Sequence, residues 1–345
     1  MFAVVIVTLI VSACQSRTPS PVGLDDRYVY VNSNISISAD GTFGAHGSTN
    51  GETIVWRTSD LSEVFRVHEA FSNVQAVAIS PTGAYVAAGL YDSRILLWNI
   101  ETRKLERVLR GHLYPVSALD FAPGGRLLVS GGWDNWTLLW NAATGLKTWR
   151  GTMEFNGTTH ATVFSPDGLT VLSATSNSVL VLRDTGSGRE LVRFVGHTGA
   201  VSSALFLADG RRAASGSYDG TVRIWNLADG KELERFEGHR LLVTSIALSP
   251  DGKRLAVASA DQSVSIWSVE DGRQVGRIEG FGGAVNSVAW GPANTGLFAA
   301  TADCLWGPLD VPGEHGSNTI PQTKVLSAPI SKRSCRSQPR QRPKT

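Results

Sequence analysis

The chain is poor in several residues that carry chemistry. Among 345 residues there are 3 cysteines and 2 methionines. Cys14, Cys304 and Cys335 form no CxxC or CxxCH, which excludes the thiolate zinc and haem-attachment motifs built on those spacings. A Cys304–Cys335 disulfide in an oxidising compartment stays open. No HExxH helix and no GxxxxGK[ST] loop exists, so neither a zinc peptidase nor a phosphate-loop nucleotide site is encoded. Charge is sparse too: 18% of residues are charged and the net charge is +2. The positive excess sits in residues 324–345, with seven basic residues and no acidic one. The remainder, 25 basic against 30 acidic residues, is mildly acidic, and no nucleic-acid partner is expected of it.

Long apolar runs are also lacking. The longest, MFAVVIVTLIVSA over residues 1–13, falls short of the roughly 20 residues that a membrane-spanning helix needs. It suits the apolar core of a signal peptide. Cys14 follows Val11-Ser12-Ala13, which resembles the lipobox of bacterial lipoproteins. That resemblance implies cleavage before Cys14, lipid attachment to it, and a tether over residues 14–25. The expected location is a bacterial cell envelope, lipid-anchored on the periplasmic side or cell surface, or else secreted or periplasmic. The run has no Lys or Arg before it, which departs from the pattern and leaves the true start open.

What is abundant is glycine, at 36, and tryptophan, at 10. Many glycines mean many tight turns, as many short strands require. The chain also repeats itself. Gly196–Glu237 and Gly238–Glu279 align over 42 residues each, and Gly111–Arg150 sits above them. Trp56, Trp98 and Trp140 are 42 apart, Leu182 takes the next place, and Trp225, Trp267 and Trp306 follow at steps of 43, 42 and 39. Each unit holds four runs alternating apolar with polar; in the fifth these are Val201–Phe206, Arg212–Ser217, Thr221–Asn226 and Glu232–Glu237. Period two argues for strands with one face buried. Asp209-Gly210, Asp219-Gly220 and Asp229-Gly230 provide hairpin turns between them. Each unit is read as a four-stranded antiparallel meander. Seven such sheets, packed radially and closed, bury faces that none buries alone.

The period, the Gly-His pairs and the tryptophans resemble the WD-repeat family over residues 26 to 306. The resemblance implies an all-β, seven-bladed β-propeller spanning residues 26–310. It also implies a hydrogen-bonded tetrad within a blade. His112, Ser130, Asp134 and Trp140 fit it in the third unit, and His197, Ser215, Asp219 and Trp225 in the fifth, with offsets of 18, 22 and 28 from the histidine in both. Recurrence at one spacing argues for scaffolding and against a Ser-His-Asp catalytic triad. Other units are incomplete. The sixth has Val257 at the serine position, the second has Ala88, the first has Asn50 for aspartate, and the fourth places Ser176 and Leu182 at the aspartate and tryptophan positions.

The seventh unit is degenerate. Only two residues separate Asp303 from Trp306, so its third strand is expected to be truncated. Arg27–Val31 is a candidate outer strand for this last blade. Residues 311–345 read as a disordered basic tail. A shifted reading frame near the end is an alternative source of the irregularity.

By family likeness, partners dock on the face bearing the loops into each first strand and the turns between second and third strands. The aromatics beside the turn aspartates are Tyr91, Trp133 and Tyr218, and loop positions add Phe71, Tyr114 and Leu241. They serve either as anchors for a protein or peptide partner or as packing between blades. A catalytic reading, a hydrolase or lactonase with a channel site, needs converging titratable groups. Only Asp120 and His160 stand in or near the channel strands, and they come from different units. The chain is therefore read as a non-enzymatic interaction scaffold with no cofactor and no metal, its oligomeric state open.

Overall fold

The structure is a computed structural model that describes residues 35–47, 51–60, 62–68, 72–152, 157–291, 296–301, 305–309 and 311. The strands that form follow the period-two runs. Blade one holds β1 (Ile35–Ile37), β2 (Phe43–Gly47), β3 (Glu52–Arg57) and β4 (Glu63–His68). Blade two holds β5 (Val74–Ile79), β6 (Tyr85–Leu90), β7 (Ile95–Asn99) and β8 (Leu105–Leu109). Blade three holds β9 (Val116–Phe121), β10 (Leu127–Gly132), β11 (Trp136–Asn141) and β12 (Lys147–Thr152). Blade four holds β13 (Thr159–Phe164), β14 (Thr170–Thr175), β15 (Val179–Asp184) and β16 (Glu190–Val195). Blade five holds β17 (Val201–Phe206), β18 (Arg212–Ser217), β19 (Val222–Asn226) and β20 (Glu232–Phe236). Blade six holds β21 (Val243–Leu248), β22 (Arg254–Ser259), β23 (Ser263–Ser268) and β24 (Gln274–Glu279). Blade seven holds β25 (Val285–Trp290), β26 (Leu297–Thr301) and β27 (Leu305–Leu309).

Every sheet is an antiparallel meander in chain order, four-stranded in blades one to six and three-stranded among the described residues of blade seven. The burial pattern explains the ring. Inner strands are buried on both faces, whereas outer strands keep one wet face, as in Leu105–Leu109 with four exposed residues of five. Radial packing leaves the inner strand no exposed face, so its sequence is nearly all apolar or hydroxylic.

The core is a circle of inter-blade seams. Blades one and two meet around Val55, Phe65, Val77 and Leu96. Blades two and three meet around Leu97, Leu109, Leu119 and Trp140. Phe164 and Val171 of blade four pack on Val129 and Leu139 of blade three, and Phe194 of blade four on Phe206 and Trp225 of blade five. Leu205 and Phe236 of blade five pack on Leu248 and Trp267 of blade six. One cluster joins Ile266 of blade six and Val288 of blade seven to Ile35, Ile54 and Trp56 of blade one. The ring is thus closed by apolar contact between its last and first blades. The fold is the seven-bladed propeller expected from the repeat.

Blade seven corrects the expected truncation. Its third strand exists but lies further along the chain. Leu297 pairs with Leu309, as Leu128 pairs with Trp140 in blade three. The anchor position therefore belongs to Leu309, not Trp306. A register shift at Leu297/Ala299 absorbs the difference, with Trp306 opposite Ala299. Residues 1–25 with Cys14, the candidate strand Arg27–Val31, Asn50, Phe71 and the tail from 312 onward lie outside the described residues.

Candidate functional site

Each blade presents two faces at its strand ends. One carries the loops into the first strand and the turns between second and third strands; the other carries the remaining hairpins. The tetrads stitch the first of these faces together. In blade three the Trp140 indole N–H donates to Ser130 Oγ at 2.8 Å, and that hydroxyl lies 2.7 Å from His112 Nε2. His112 Nδ1 lies 2.9 Å from Asp134, which also accepts the backbone N–H of Leu113 at 2.9 Å. Blade five repeats this with Trp225 to Ser215 at 2.8 Å, Ser215 to His197 at 2.7 Å and His197 to Asp219 at 2.8 Å. A single tautomer satisfies the chain: tryptophan donates to serine, serine to a neutral imidazole, and imidazole to a carboxylate. Burial opposes ionisation of Asp219, but hydrogen bonds from Thr221 and His197 outweigh it and hold its pKa at about 2. His197 is held below its ordinary value by burial, with Asp219 pulling the other way. Both serines are fully buried and already accept from an indole, which is incompatible with a nucleophile.

Two tetrad assignments need correction. In blade six the missing hydroxyl comes from the neighbouring strand. Val257 pairs directly with Ser265, and Ser265 Oγ accepts from Trp267 Nε1 at 2.7 Å and meets His239 Nε2 at 2.6 Å. His239 in turn meets Asp261 at 2.9 Å, so a third tetrad is complete. The sequence signal was a serine two residues before the tryptophan. In blade four the register is one residue later than the repeat suggested. Thr159 pairs with Thr175 as Val116 pairs with Gly132, which puts Asn177 at the aspartate position and Arg183 at the tryptophan position. Arg183 is buried there and donates to the carbonyls of Thr152 and Gly188 at 2.9 and 3.3 Å. Ser173 keeps the serine position but bonds Thr137 of blade three at 2.9 Å. In blade two, Asp92 turns outward to Arg94 at 2.7 Å.

The residues expected to bind divide into two groups. Tyr91 and Trp133 meet edge to face across blades two and three, with ring centroids 5.7 Å apart and planes at 81°. Tyr91 is 51% exposed, and the adjoining loop of blade three adds Leu113 at 67% and Tyr114 at 59%. Leu113 is tied to this patch through Asp134, and Trp133 through its N–H to the Pro115 carbonyl at 2.9 Å. Leu113 was missed from sequence, although it sits beside Tyr114. Tyr218 is half-buried and packs edge-on against His160 of the preceding blade at 5.9 Å. Leu241, 54% exposed, belongs to the blade six loop bordering Gly220. Tyr218 thus serves packing, while Tyr91, Tyr114, Leu113 and Leu241 present apolar surface.

The turns on this face have a further trait. The residue after the turn acid must adopt positive φ. Gly220 does so freely at 82°, but Ser93, Asn135, Ser178 and Gln262 hold φ between 62° and 74°. On the opposite face the turns between first and second strands use glycine at this conformation, from Gly41 to Gly252. On the opposite face Arg103, in the turn between third and fourth strands of blade two, is the one non-glycine residue among those described that holds positive φ, at 59°.

Asp120 and His160 share no contact. Asp120 is buried and accepts the Phe164 N–H at 2.7 Å, bracing blade three to blade four; burial pushes its pKa well above the carboxylate range. Burial pulls His160 down to about 4. Among the described residues no group of three or more His, Cys, Asp or Glu is arranged to hold a metal ion.

Comparison with known proteins agrees with this geometry. The family model for the WD domain, G-beta repeat, matches residues 60–99, 103–141, 188–226 and 230–268. Four segments of this chain are WD repeats. Each begins at the outer edge of one blade and ends on the third strand of the next, so the repeats bind neighbouring blades covalently. They supply the first three strands of blades two, three, five and six, which include the three complete tetrads. The first three strands of blade four, with Asn177 and Arg183 in place of the usual pair, lie between the matches. A relative, Target of rapamycin complex subunit LST8-1 of Arabidopsis thaliana, is 28% identical over 86 residues. That alignment covers 23% of this chain and spans 28% of the relative's length.

Proposed function

We propose that this WD-repeat propeller is a protein-interaction scaffold whose docking surface is the tetrad-bearing face of blades two and three. The observation that carries this is the patch of Tyr91, Leu113, Tyr114 and Trp133. Three of its members are more than half exposed, yet the loop bearing Leu113 and Tyr114 is pinned by the buried tetrad of blade three, and Tyr91 is held by its N–H to the Asn73 carbonyl and by the Trp133 ring. Exposed aromatics on a preorganised support are what anchors of an interface require, because little entropy remains to be lost on binding. The relative's printed name makes it a complex subunit, and we extend that general role, assembly with other proteins, to this chain. The finer reading is of an envelope scaffold. Residues 1–13 act as an export signal, Cys14 carries the lipid, and residues 14–25 tether the ring to the membrane surface; the apolar run and the small residues before Cys14 support it.

The test is capture of partners from envelope extract on wild-type protein and on the Tyr91→Ala/Tyr114→Ala double variant. The reading expects at least one partner to be lost with the variant still folded. Equal recovery of every partner refutes the assigned face. The anchor has its own test, metabolic lipid labelling, and label retained on Cys14→Ser overturns that element alone.

A further inference from the structure

The inner strands of blades two to seven share one irregularity. Val74 pairs with Leu90 while Ala76 pairs with Gly89, so Gln75 is skipped by the ladder. The same slip skips Ser117, His160, Ser202, Thr244 and Asn286 in the following blades. A β-bulge frees its extra residue from pairing and re-aims the side chain, a device found beside binding sites. Repeated around the axis, six bulges make a collar where the channel opens toward the tetrad-bearing face.

The collar has two kinds of member. Ser117, Ser202 and Thr244 donate their hydroxyls to the carbonyls of Thr159, Val243 and Val285, the first inner-strand residue of the next blade. These three hold the ring together. Gln75, His160 and Asn286 take no part in that brace. Gln75 is 3% exposed, yet its Oε1 has no hydrogen-bond partner. His160 makes no hydrogen bond among the described residues, and its ring rests against Tyr218.

The chemistry of this mouth is narrow. No collar residue carries a formal charge, since burial keeps His160 neutral near neutral pH. An ionic ligand finds no counter-charge there and loses its hydration without return. The unpartnered Gln75 carbonyl is an acceptor, the neutral His160 imidazole offers one donor and one acceptor, and the Asn286 amide stands beside them on the same collar. A hydroxyl answers both, and a sugar ring offers several hydroxyls together with a C–H face that packs on an aromatic such as Tyr218. We propose that the axial mouth lined by Gln75, His160, Tyr218 and Asn286 binds a neutral, hydroxyl-rich ligand of the saccharide class. This site is distinct from the patch on blades two and three and does not depend on protein docking there.

The experiment is calorimetric titration of the full chain with maltotriose, cellotriose and chitotriose, and with the neutral peptide N-acetyl-triglycine amide as comparator. At least one trisaccharide is expected to bind saturably, and to shift the His160 imidazole resonances of the wild-type protein. Gln75→Met and His160→Phe are each expected to weaken it about tenfold, the equivalent of one good hydrogen bond. Tyr91→Ala is expected to bind as wild type. Melting curves identify any variant that fails to fold, and the resonance shift needs no variant. Absence of saturable binding by all three sugars overturns the proposal. So does undiminished affinity in a folded Gln75→Met, or saturable binding of the peptide alone.

Discussion

Ser265→Ala tests the borrowed hydroxyl of blade six. In the wild type one oxygen serves two partners, accepting from Trp267 at 2.7 Å and meeting His239 at 2.6 Å. Alanine leaves both of those buried nitrogens without a partner. Each such group costs about 1–3 kcal/mol, so the substitution is expected to destabilise the protein by about 2–5 kcal/mol. A second substitution separates this account from a general intolerance of the site. Val257 faces Ser265 across the ladder, at the place where Ser130 and Ser215 stand in blades three and five. Val257→Ser alone buries a surplus hydroxyl and is expected to cost about 1–2 kcal/mol. In the Ser265→Ala background it restores the hydroxyl from the other strand, and at least half of the lost stability is expected to return. The assay is urea unfolding followed by tryptophan fluorescence, with an unchanged denaturant slope as the check that only stability moved. A loss in Ser265→Ala below about 0.5 kcal/mol, the range of ordinary surface changes, refutes the reasoning. Failure of the double variant to recover does so equally.

Acid should weaken the fold in a defined window. Burial, with Arg66 adding to it, holds buried His46 at about 4, and burial alone does the same for His160. Both titrate near 6.5 when unfolded, so the unfolded chain binds more protons between those values. The contribution is full above pH 6.5 and is lost as pH falls to 4, by up to about 3 kcal/mol for each residue. Unfolding curves across pH 4–7 check this, and His46→Gln should flatten the slope. Asp120 has the opposite sign, because its raised folded pKa favours folding at low pH and that benefit is lost as pH rises. Asp120→Asn is therefore expected to be as stable as wild type or more so at pH 8, while Asp120→Leu strands the Phe164 N–H and costs about 1–3 kcal/mol by the same urea assay. Hydrogen exchange should find the third strands of blades three, five and six slower than that of blade four, where no tetrad ties turn to loop. Equal protection in blade four would count against the tetrads as local locks.

How much of this was legible beforehand depended on what kind of signal each element carried. The strand runs and the tetrads of blades three and five rest on local spacing, which a repeat preserves, and the hydrogen bonds of those two blades run through residues at the same offsets. The blade four register was missed because Leu182 resembles an anchor while the true occupant, Arg183, is a base; only the pairing of Thr159 with Thr175 fixes it. Ser265 was missed because a hydroxyl can arrive from either of two paired strands, and a linear offset searches one. The third strand of blade seven escaped because its register shift places Leu309 at the anchor, beyond the point where Trp306 ended the count. On the tetrad-bearing face, neighbouring loop positions led to Tyr91, Trp133 and Tyr114. The split between outward Tyr91 and inward Tyr218 depends on packing between blades. The bulge collar was invisible too, because its six residues share no one type and only backbone geometry unites them.

The most direct measurement places a photocrosslinking phenylalanine analogue at Tyr114, on the tetrad-bearing face, and at Leu146, 69% exposed on the opposite face of the same blade. Both sites are open to solvent, so the comparison isolates the face. The account predicts that a partner from envelope extract crosslinks to position 114 and not to position 146. Crosslinking at 146 alone, or to the same extent at both, contradicts it.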